Sequence, residues 1–169
     1  MNINVNSKKV SIILGIIQHY NPDKYWKRRE YVVRPGGVKL LKYVYLIYIK
    51  RCDAFNKASM GTDLNDGAVF ETAPLLPHGL NGIVVASKSH IGKNCVIYHQ
   101  VTIGNDNRKA ENAPIIGDNV TIYSGAKIVG KVKIGNNCEI GANAVVTKDV
   151  PDNSLVVTEK VRVIERNKV

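Results

Sequence analysis

The chain has 169 residues, 44% of them hydrophobic, and a formal net charge of +10. That length suits one domain, or one domain with an appendage, and is enough to bury a core. No apolar run approaches the ~18 residues that a membrane span needs, and the first residues lack the order of a secretion signal, so neither a spanning helix nor a cleaved leader is expected.

The positive charge lies mainly in the N-terminal part. Residues 1–63 contain 12 Lys and Arg against 4 Asp and Glu, whereas residues 64–169 contain 12 against 10. The glycine-rich loops and aromatic platforms of the usual nucleic-acid-binding modules are missing, so nucleic acid is not an expected partner. A peripheral contact with the inner face of an anionic membrane, a phosphorylated substrate and simple solubility are all compatible with this charge.

The chain contains three cysteines, an odd number for a disulfide framework. Cys95 and Cys138 fall at small-residue positions of the repeat described below, and Cys52 lies in an expected helix. Buried free thiols favour a reduced, cytoplasmic setting. The Cys and His residues do not have the spacing of metal ligands, so no metal is expected.

The region 1–60 is expected to be mainly α-helical. Aliphatic residues within 8–19 predict a short first helix. The sequence Asn-Pro-Asp at 21–23 is typical of a helix start, with Asn21 as the N-cap, and the Arg-Pro-Gly-Gly sequence at 34–37 should end that helix. A further helix is predicted for residues 38–54 from apolar residues at helical spacing. These residues are Leu41, Val44, Tyr45 and Tyr48.

The region 61–169 is dominated by an aliphatic residue at every sixth position. A period of six fits neither a helix nor a single strand but is a signature of parallel β-helices, in which each coil buries its neighbour's core. Ile91, Ile116 and Ile134 should therefore stack, as should Ile97, Ile122 and Ile140. The full series of anchors is Val85, Ile91, Ile97, Ile103, Ile116, Ile122, Ile128, Ile134, Ile140 and Val146.

The expected corners of the coils are rich in Asn and Gly. Both residue types tolerate the left-handed backbone that tight corners need. The corner residues expected to use it are Asn94, Asn119, Gly125, Asn136, Asn137 and Asn143.

The six-residue spacing starts weakly at Leu64, Phe70 and Leu76 and then breaks twice. Three extra residues lie between Leu76 and Val85, and seven lie between Ile103 and Ile116. The second insertion is charged and poor in apolar residues, so it should project as a loop, and such insertions often gather on the binding face.

Function is expected where the repeat breaks, because aliphatic anchors do no chemistry. His78 lies at the first break and is followed by Gly79, which would let a substrate approach its ring. A single His is structural more often than catalytic, so both roles stay open on spacing alone. If Ile97 stacks near Leu76, His99 lies about one coil from His78.

The repeats resemble those of the hexapeptide-repeat acyltransferases. The resemblance covers roughly residues 50–150 and rests on LLPHGLNGIVV, IGKNCVIYHQVTIG and IGANAVVTKDVP. It is strongest to the serine acetyltransferase-like branch, which includes sugar O-acetyltransferases of surface-polysaccharide synthesis. The resemblance implies a homotrimer of left-handed parallel β-helices with active sites between subunits, and acetyl-CoA as the acetyl donor.

The resemblance also implies roles for individual residues. The catalytic base would be His78, and the carboxylate that orients it, fifteen residues earlier, would be Asp63; a helix or turn cap is the alternative role for Asp63. A backbone N–H near Gly104 would stabilise the oxyanion. The residues that would line the acetyl-CoA groove are Gly104, Ser124, Ala142, Thr147, Lys148 and Arg162.

Two departures from the serine acetyltransferases bear on the acceptor. The Asp that holds the amino acid directly before the catalytic His is replaced by Pro77, and a second His that precedes a Pro is replaced by Ala113. Both favour a sugar hydroxyl as acceptor, free or lipid-linked, in capsule, exopolysaccharide or lipopolysaccharide synthesis. The alternatives are a serine O-acetyltransferase of cysteine biosynthesis and a non-catalytic trimeric scaffold.

Overall fold

In the computed structural model, residues 19–159 are described. Two helices, α1 (Pro22–Val33) and α2 (Lys39–Phe55), precede fifteen short strands. The helix predicted for residues 8–19 lies outside the described residues apart from His19. Within the described part of the chain, no helix is long and apolar enough to cross a membrane.

Both helix predictions are confirmed, with one correction. Asn21 caps α1, since its Oδ1 accepts a hydrogen bond from the Lys24 N–H at 3.0 Å, and Pro22 is the first helical residue. The helix ends at Val33, directly before the Arg-Pro-Gly-Gly sequence. In α2 the predicted apolar stripe is wrong at Val44, which is 54% exposed. The buried face of α2 carries Lys42, Ile49, Cys52 and Asp53.

Thirteen of the fifteen strands form a parallel β-helix with three faces. The first face contains β1 (Ser59–Met60), β5 (Val84–Val85), β8 (Thr102–Gly104), β11 (Lys127–Val129) and β14 (Val145–Val146). The second contains β4 (Val69–Phe70), β6 (His90–Ile91), β9 (Ile115–Ile116) and β12 (Lys133–Ile134). The third contains β7 (Val96–Ile97), β10 (Thr121–Ile122), β13 (Glu139–Ile140) and β15 (Leu155–Val156). This confirms the predicted fold, a left-handed parallel β-helix with a small helical N-terminal region.

We name the corners by the faces they join. The first corner leads from the first face to the second, the second corner from the second face to the third, and the third corner from the third face back to the first. Each turn of the chain therefore passes all three corners in this order, and residues at the same corner of successive coils lie in one row.

The predicted stacking of the anchors is confirmed. Ile116 pairs with Ile91 and Ile134, and Ile122 pairs with Ile97 and with the next residue of that row, Ile140. All eight isoleucine anchors are at most 1% exposed. Burying one such side chain stabilises the fold by about 1.5–3 kcal/mol, so the stacked anchors contribute a large part of the hydrophobic core.

The first coil departs from the six-residue pattern. Met60, fully buried on β1, takes the inward position of the first face, and Leu64, where the pattern seemed to begin, lies off the faces. The reason is an extra antiparallel pair at the first corner, formed by β2 (Thr62–Asp63) and β3 (Asp66–Gly67). The first strand of the β-helix accordingly starts at Ser59.

Arg29 closes the N-terminal end of the β-helix. Its guanidinium, 4% exposed, donates from Nη2 to the carbonyl oxygens of Met60 (3.0 Å), Gly61 (3.2 Å) and Ala68 (2.7 Å), and from Nε to Thr62 Oγ1 (3.1 Å). A buried acceptor left without a partner costs about 1–3 kcal/mol. The helical region thus satisfies carbonyl groups of the first coil among the described residues, whose strand β1 lies at the edge of its face.

Candidate active site

The third corner places polar side chains of successive coils in one row. Leu75 aligns with Val96, and Val96 aligns with Thr121. Thr121 in turn aligns with Glu139. The residue three positions after each of these lies at the third corner, and the resulting row is His78, His99, Ser124 and Ala142.

His78 and His99 contact each other directly. Their Nδ1 atoms are 2.6 Å apart and their ring centroids 4.6 Å apart. The Oγ of Ser124 lies 3.2 Å from His99 Nδ1. His78 is exposed, whereas His99 and Ser124 are half-buried. The sequence-based expectation that His99 lies one coil from His78 is confirmed, and the pair is closer than the spacing alone indicated.

Aromatic side chains flank the histidine pair. The ring of Tyr98 meets that of His78 edge-on at 5.6 Å and stacks on Tyr123 at 5.4 Å. The Tyr123 hydroxyl donates to Glu139 Oε2 at 3.0 Å, and this hydrogen bond raises the pKa of the phenol. Sequence reasoning missed both tyrosines, although each directly follows an anchor of the third face and so shares one register.

The glycines around His78 shape the turn. Gly79 and Gly82 have φ of 64° and 65°, a region that residues with a side chain rarely adopt. A Cβ on Gly82 would lie 3.1 Å from the Cγ of Gln100 in the next coil. Leu80 is fully buried and anchors the turn from inside. The extra residues of this break therefore form a fixed turn that presents His78 outward.

Asp63 lies at the first corner, whereas His78 lies at the third. Within residues 19–159, no hydrogen bond joins the two side chains. Asp63 is part of β2, and the β2–β3 pair keeps it at the corner before the second face.

The residues expected to line the acetyl-CoA groove fall at two corners of the chain. Ser124 and Ala142 lie at the third corner, in the row of His78. Gly104 ends β8, and Thr147 and Lys148 follow β14, so these three lie at the first corner. Arg162 lies outside the described residues.

The insertion after Gly104 also lies at the first corner and, as predicted, is a projecting loop. Its residues 107–111 are exposed, and Asp106 Oδ1 accepts a hydrogen bond from the Arg108 N–H at 3.0 Å. That bond lowers the pKa of the Asp106 carboxyl. The two residues that depart from the serine acetyltransferases lie apart in this chain. Ala113, at the end of the loop, is 4% exposed, whereas Pro77 lies at the third corner and is exposed.

Comparison with known proteins identifies the repeats. Residues 113–148 match the family model of the bacterial transferase hexapeptide (six repeats). The serine acetyltransferase of Mycobacterium tuberculosis is 38% identical over 104 residues, which are 61% of this chain and 45% of that enzyme. The chain thus spans about half the length of this curated relative.

Solved structures show the same fold. The serine acetyltransferase of Brucella abortus superposes with a TM-score of 0.65 at 25% identity, covering 84% of this chain and 54% of that one. The soybean serine acetyltransferase, determined in complex with serine, has a TM-score of 0.61 at 26% identity and covers 91% of this chain and 57% of its own.

These relatives correct the expected acceptor. The prediction of a sugar hydroxyl in polysaccharide synthesis is wrong, because the curated relatives at 34–41% identity are serine acetyltransferases. The prediction depended on Pro77 and Ala113, which stand where the resemblance implies an Asp and a His. The repeats of this chain are therefore similar to those of the hexapeptide-repeat acyltransferases, and the curated and solved proteins that it resembles are serine acetyltransferases.

Proposed function

We propose that the protein is an acyltransferase that moves the acetyl group of acetyl-CoA to the hydroxyl of L-serine, with His78 as the general base. The observation that carries the proposal is the exposed imidazole of His78, held at its Nδ1 by His99 and open at the other side of the ring. The similarity to serine acetyltransferases supports L-serine as the acceptor.

The reaction needs a base because a serine hydroxyl is a weak nucleophile. His78 Nε2 takes the hydroxyl proton as the oxygen attacks the thioester carbonyl. When the tetrahedral intermediate collapses, the C–S bond breaks and the imidazolium returns the proton to the departing sulfur. The products are O-acetyl-L-serine and free coenzyme A. Such a base contributes about 10²–10⁴ in rate.

In a homotrimer, the first corner of one subunit and the third corner of another could form one site. A head-to-tail contact repeated around a threefold axis can place the third corner of one subunit against the first corner of the next. His78, Ser124 and Ala142 would then face Gly104 and Lys148 of a neighbouring subunit. The division of the candidate acetyl-CoA residues between two corners supports this arrangement. It would also bring a neighbour's Asp63 to the same side of the interface.

Acceptor binding should be weaker than in relatives that carry the Asp and His. Pro77 and Ala113 cannot form charge-assisted contacts to the amino acid, and each such contact contributes about 1.5–3 kcal/mol. Loss of contacts made equally in the ground state and the transition state raises KM and leaves kcat unchanged. We therefore expect a high KM for L-serine.

The three free cysteines of the described chain fit a cytoplasmic setting for this activity.

The test is release of free thiol from acetyl-CoA by the purified protein, with L-serine compared with L-threonine and with a saccharide acceptor. We expect turnover with L-serine and a loss of about 10²–10⁴ in His78→Ala. The matched control is His90→Ala, since His90 pairs with Glu71 on the second face at 3.0 Å, away from the third corner. Equal turnover by wild type and His78→Ala would contradict the role of His78, and no turnover by either protein would favour the non-catalytic scaffold.

A further inference from the structure

We infer that His99 is a positioning residue, which holds the proton of His78 on Nδ1 and so leaves Nε2 free to act as the base. The inference rests on the proposed function for the identity of the base. It assigns His99 the task expected of Asp63, which lies at another corner of the same chain.

The contact itself requires one proton between the two rings. Two bare Nδ1 atoms, or two Nδ1–H groups, would repel each other at a separation of 2.6 Å. One ring must therefore donate and the other accept. A neutral imidazole carries its single N–H on one nitrogen only, so the direction of this hydrogen bond decides which nitrogen of His78 stays bare.

Only one direction suits a base that faces the substrate. If His78 donates from Nδ1, its Nε2 is an acceptor and can take a proton from a hydroxyl. If His99 donates instead, the proton of His78 sits on Nε2 and blocks that function. The reaction therefore requires His99 as acceptor at Nδ1, with its own proton on Nε2.

Ser124 is compatible with the same direction. Its hydroxyl lies 3.2 Å from His99 Nδ1 and can donate to the bare nitrogen as a second, longer contact. A hydroxyl rotates to suit its partner. Both side chains are half-buried, whereas the His78 ring that they adjoin is exposed.

The test compares variants that remove or keep the acceptor. His99→Ala removes it, whereas His99→Asn can place an amide oxygen close to the position of Nδ1. We expect kcat to fall at least about tenfold in His99→Ala, with both KM values within about threefold, and to return most of the way in His99→Asn. His90→Ala is the matched control. An unchanged kcat in His99→Ala, or no recovery in His99→Asn, would overturn the inference.

The tautomer is measured directly by nitrogen-15 NMR of histidine-labelled protein. We expect the proton of His78 on Nδ1 in the wild type and its shift to Nε2 in His99→Ala. A wild-type His78 with its proton on Nε2 would overturn the inference. This measurement needs no turnover. A protein that shows the expected tautomer but no transfer to L-serine would keep the inference about His99 and lose the proposed acceptor.

Discussion

At the scale of single residues, asparagine at the second corner fixes the turn of each coil. Asn94, Asn119, Asn137 and Asn153 all have φ between 54° and 57°. Their side chains also form a row, with amide-to-amide hydrogen bonds of 3.2, 3.0 and 3.0 Å between successive coils. The residue type therefore serves both the backbone and the side-chain contact.

Asn119 allows these two contributions to be separated. Asn119→Gly keeps the left-handed backbone and loses only the hydrogen bonds, whereas Asn119→Ala loses both. We expect Asn119→Ala to be less stable than Asn119→Gly by about 1–2 kcal/mol, the cost of a left-handed residue with a Cβ. Urea unfolding at one fixed protein concentration measures the difference. Equal stability of the two variants would show that the backbone conformation is not what selects asparagine.

The corner prediction from sequence was right for most of its residues. Gly125 and Asn143 also have positive φ, but Asn136 does not. Its Oδ1 instead accepts a hydrogen bond from the Asp118 N–H at 2.8 Å. Composition marks a corner as rich in asparagine, but it cannot tell which of two adjacent asparagines, Asn136 or Asn137, takes the left-handed position.

At the scale of elements, the two helices form a polar and aromatic cap on the β-helix. The Tyr25 hydroxyl donates to Asp53 Oδ1 at 2.6 Å in the interior, and Trp26 Nε1 donates to the Tyr20 hydroxyl at 3.0 Å. Burial raises the pKa of both phenols, and the adjacent Asp53 adds to the shift of Tyr25. Burial acts oppositely on Arg29 and lowers its pKa to about 10.

These shifts predict that the cap loosens in alkali. A phenol with a raised pKa in the folded state contributes stability that is complete below its ordinary value of 10 and is lost as the pH rises above it. Arg29 has the opposite effect, because its lowered pKa makes alkali favour the folded state. We nevertheless expect the combined effect of the two phenols to be larger. The single tryptophan, Trp26, reports the change by fluorescence. Tyr20→Phe should weaken the pH dependence above pH 10, and an unaltered dependence in that variant would argue against this cause.

The elements show which parts of the molecule follow from sequence. The period of six was enough to predict the β-helix and its core, because one aliphatic residue of each coil face is buried whatever the neighbouring residues are. The path of the first coil could not be predicted from the spacing, because β2 and β3 interrupt this coil and place Asp63 at a different corner from His78. The His78–His99 contact depends on how the turn at residues 77–82 takes up its extra residues, and spacing alone could place the two only about one coil apart.

At the scale of the whole molecule, we propose that the site is shared between two subunits. We expect the chain to have a solution mass three times its 18.6 kDa, as measured by light scattering. We also expect two inactive variants to restore each other. His78→Ala alters the third corner, and Gly104→Trp fills the first corner, where a Cβ meets only Thr102 Cγ2 at 3.6 Å.

Mixed trimers of these variants should contain intact sites. A third corner from Gly104→Trp would meet a first corner from His78→Ala, so co-expression under separate tags should recover roughly a quarter of wild-type activity. Trimers of either variant alone should stay inactive. Mixed trimers that form and remain inactive would place the whole site within one subunit.

The transfer of acetyl to L-serine is tested most directly by identifying the product. Acetyl-CoA labelled with carbon-13 at the acetyl carbonyl is incubated with the protein and L-serine, and the product is followed by NMR. We expect the label to appear in O-acetyl-L-serine with release of an equal amount of coenzyme A, and to stay in acetyl-CoA when His78→Ala replaces the wild type. Label that remains in acetyl-CoA with folded wild-type protein, or that moves to serine equally well without His78, would contradict the proposal.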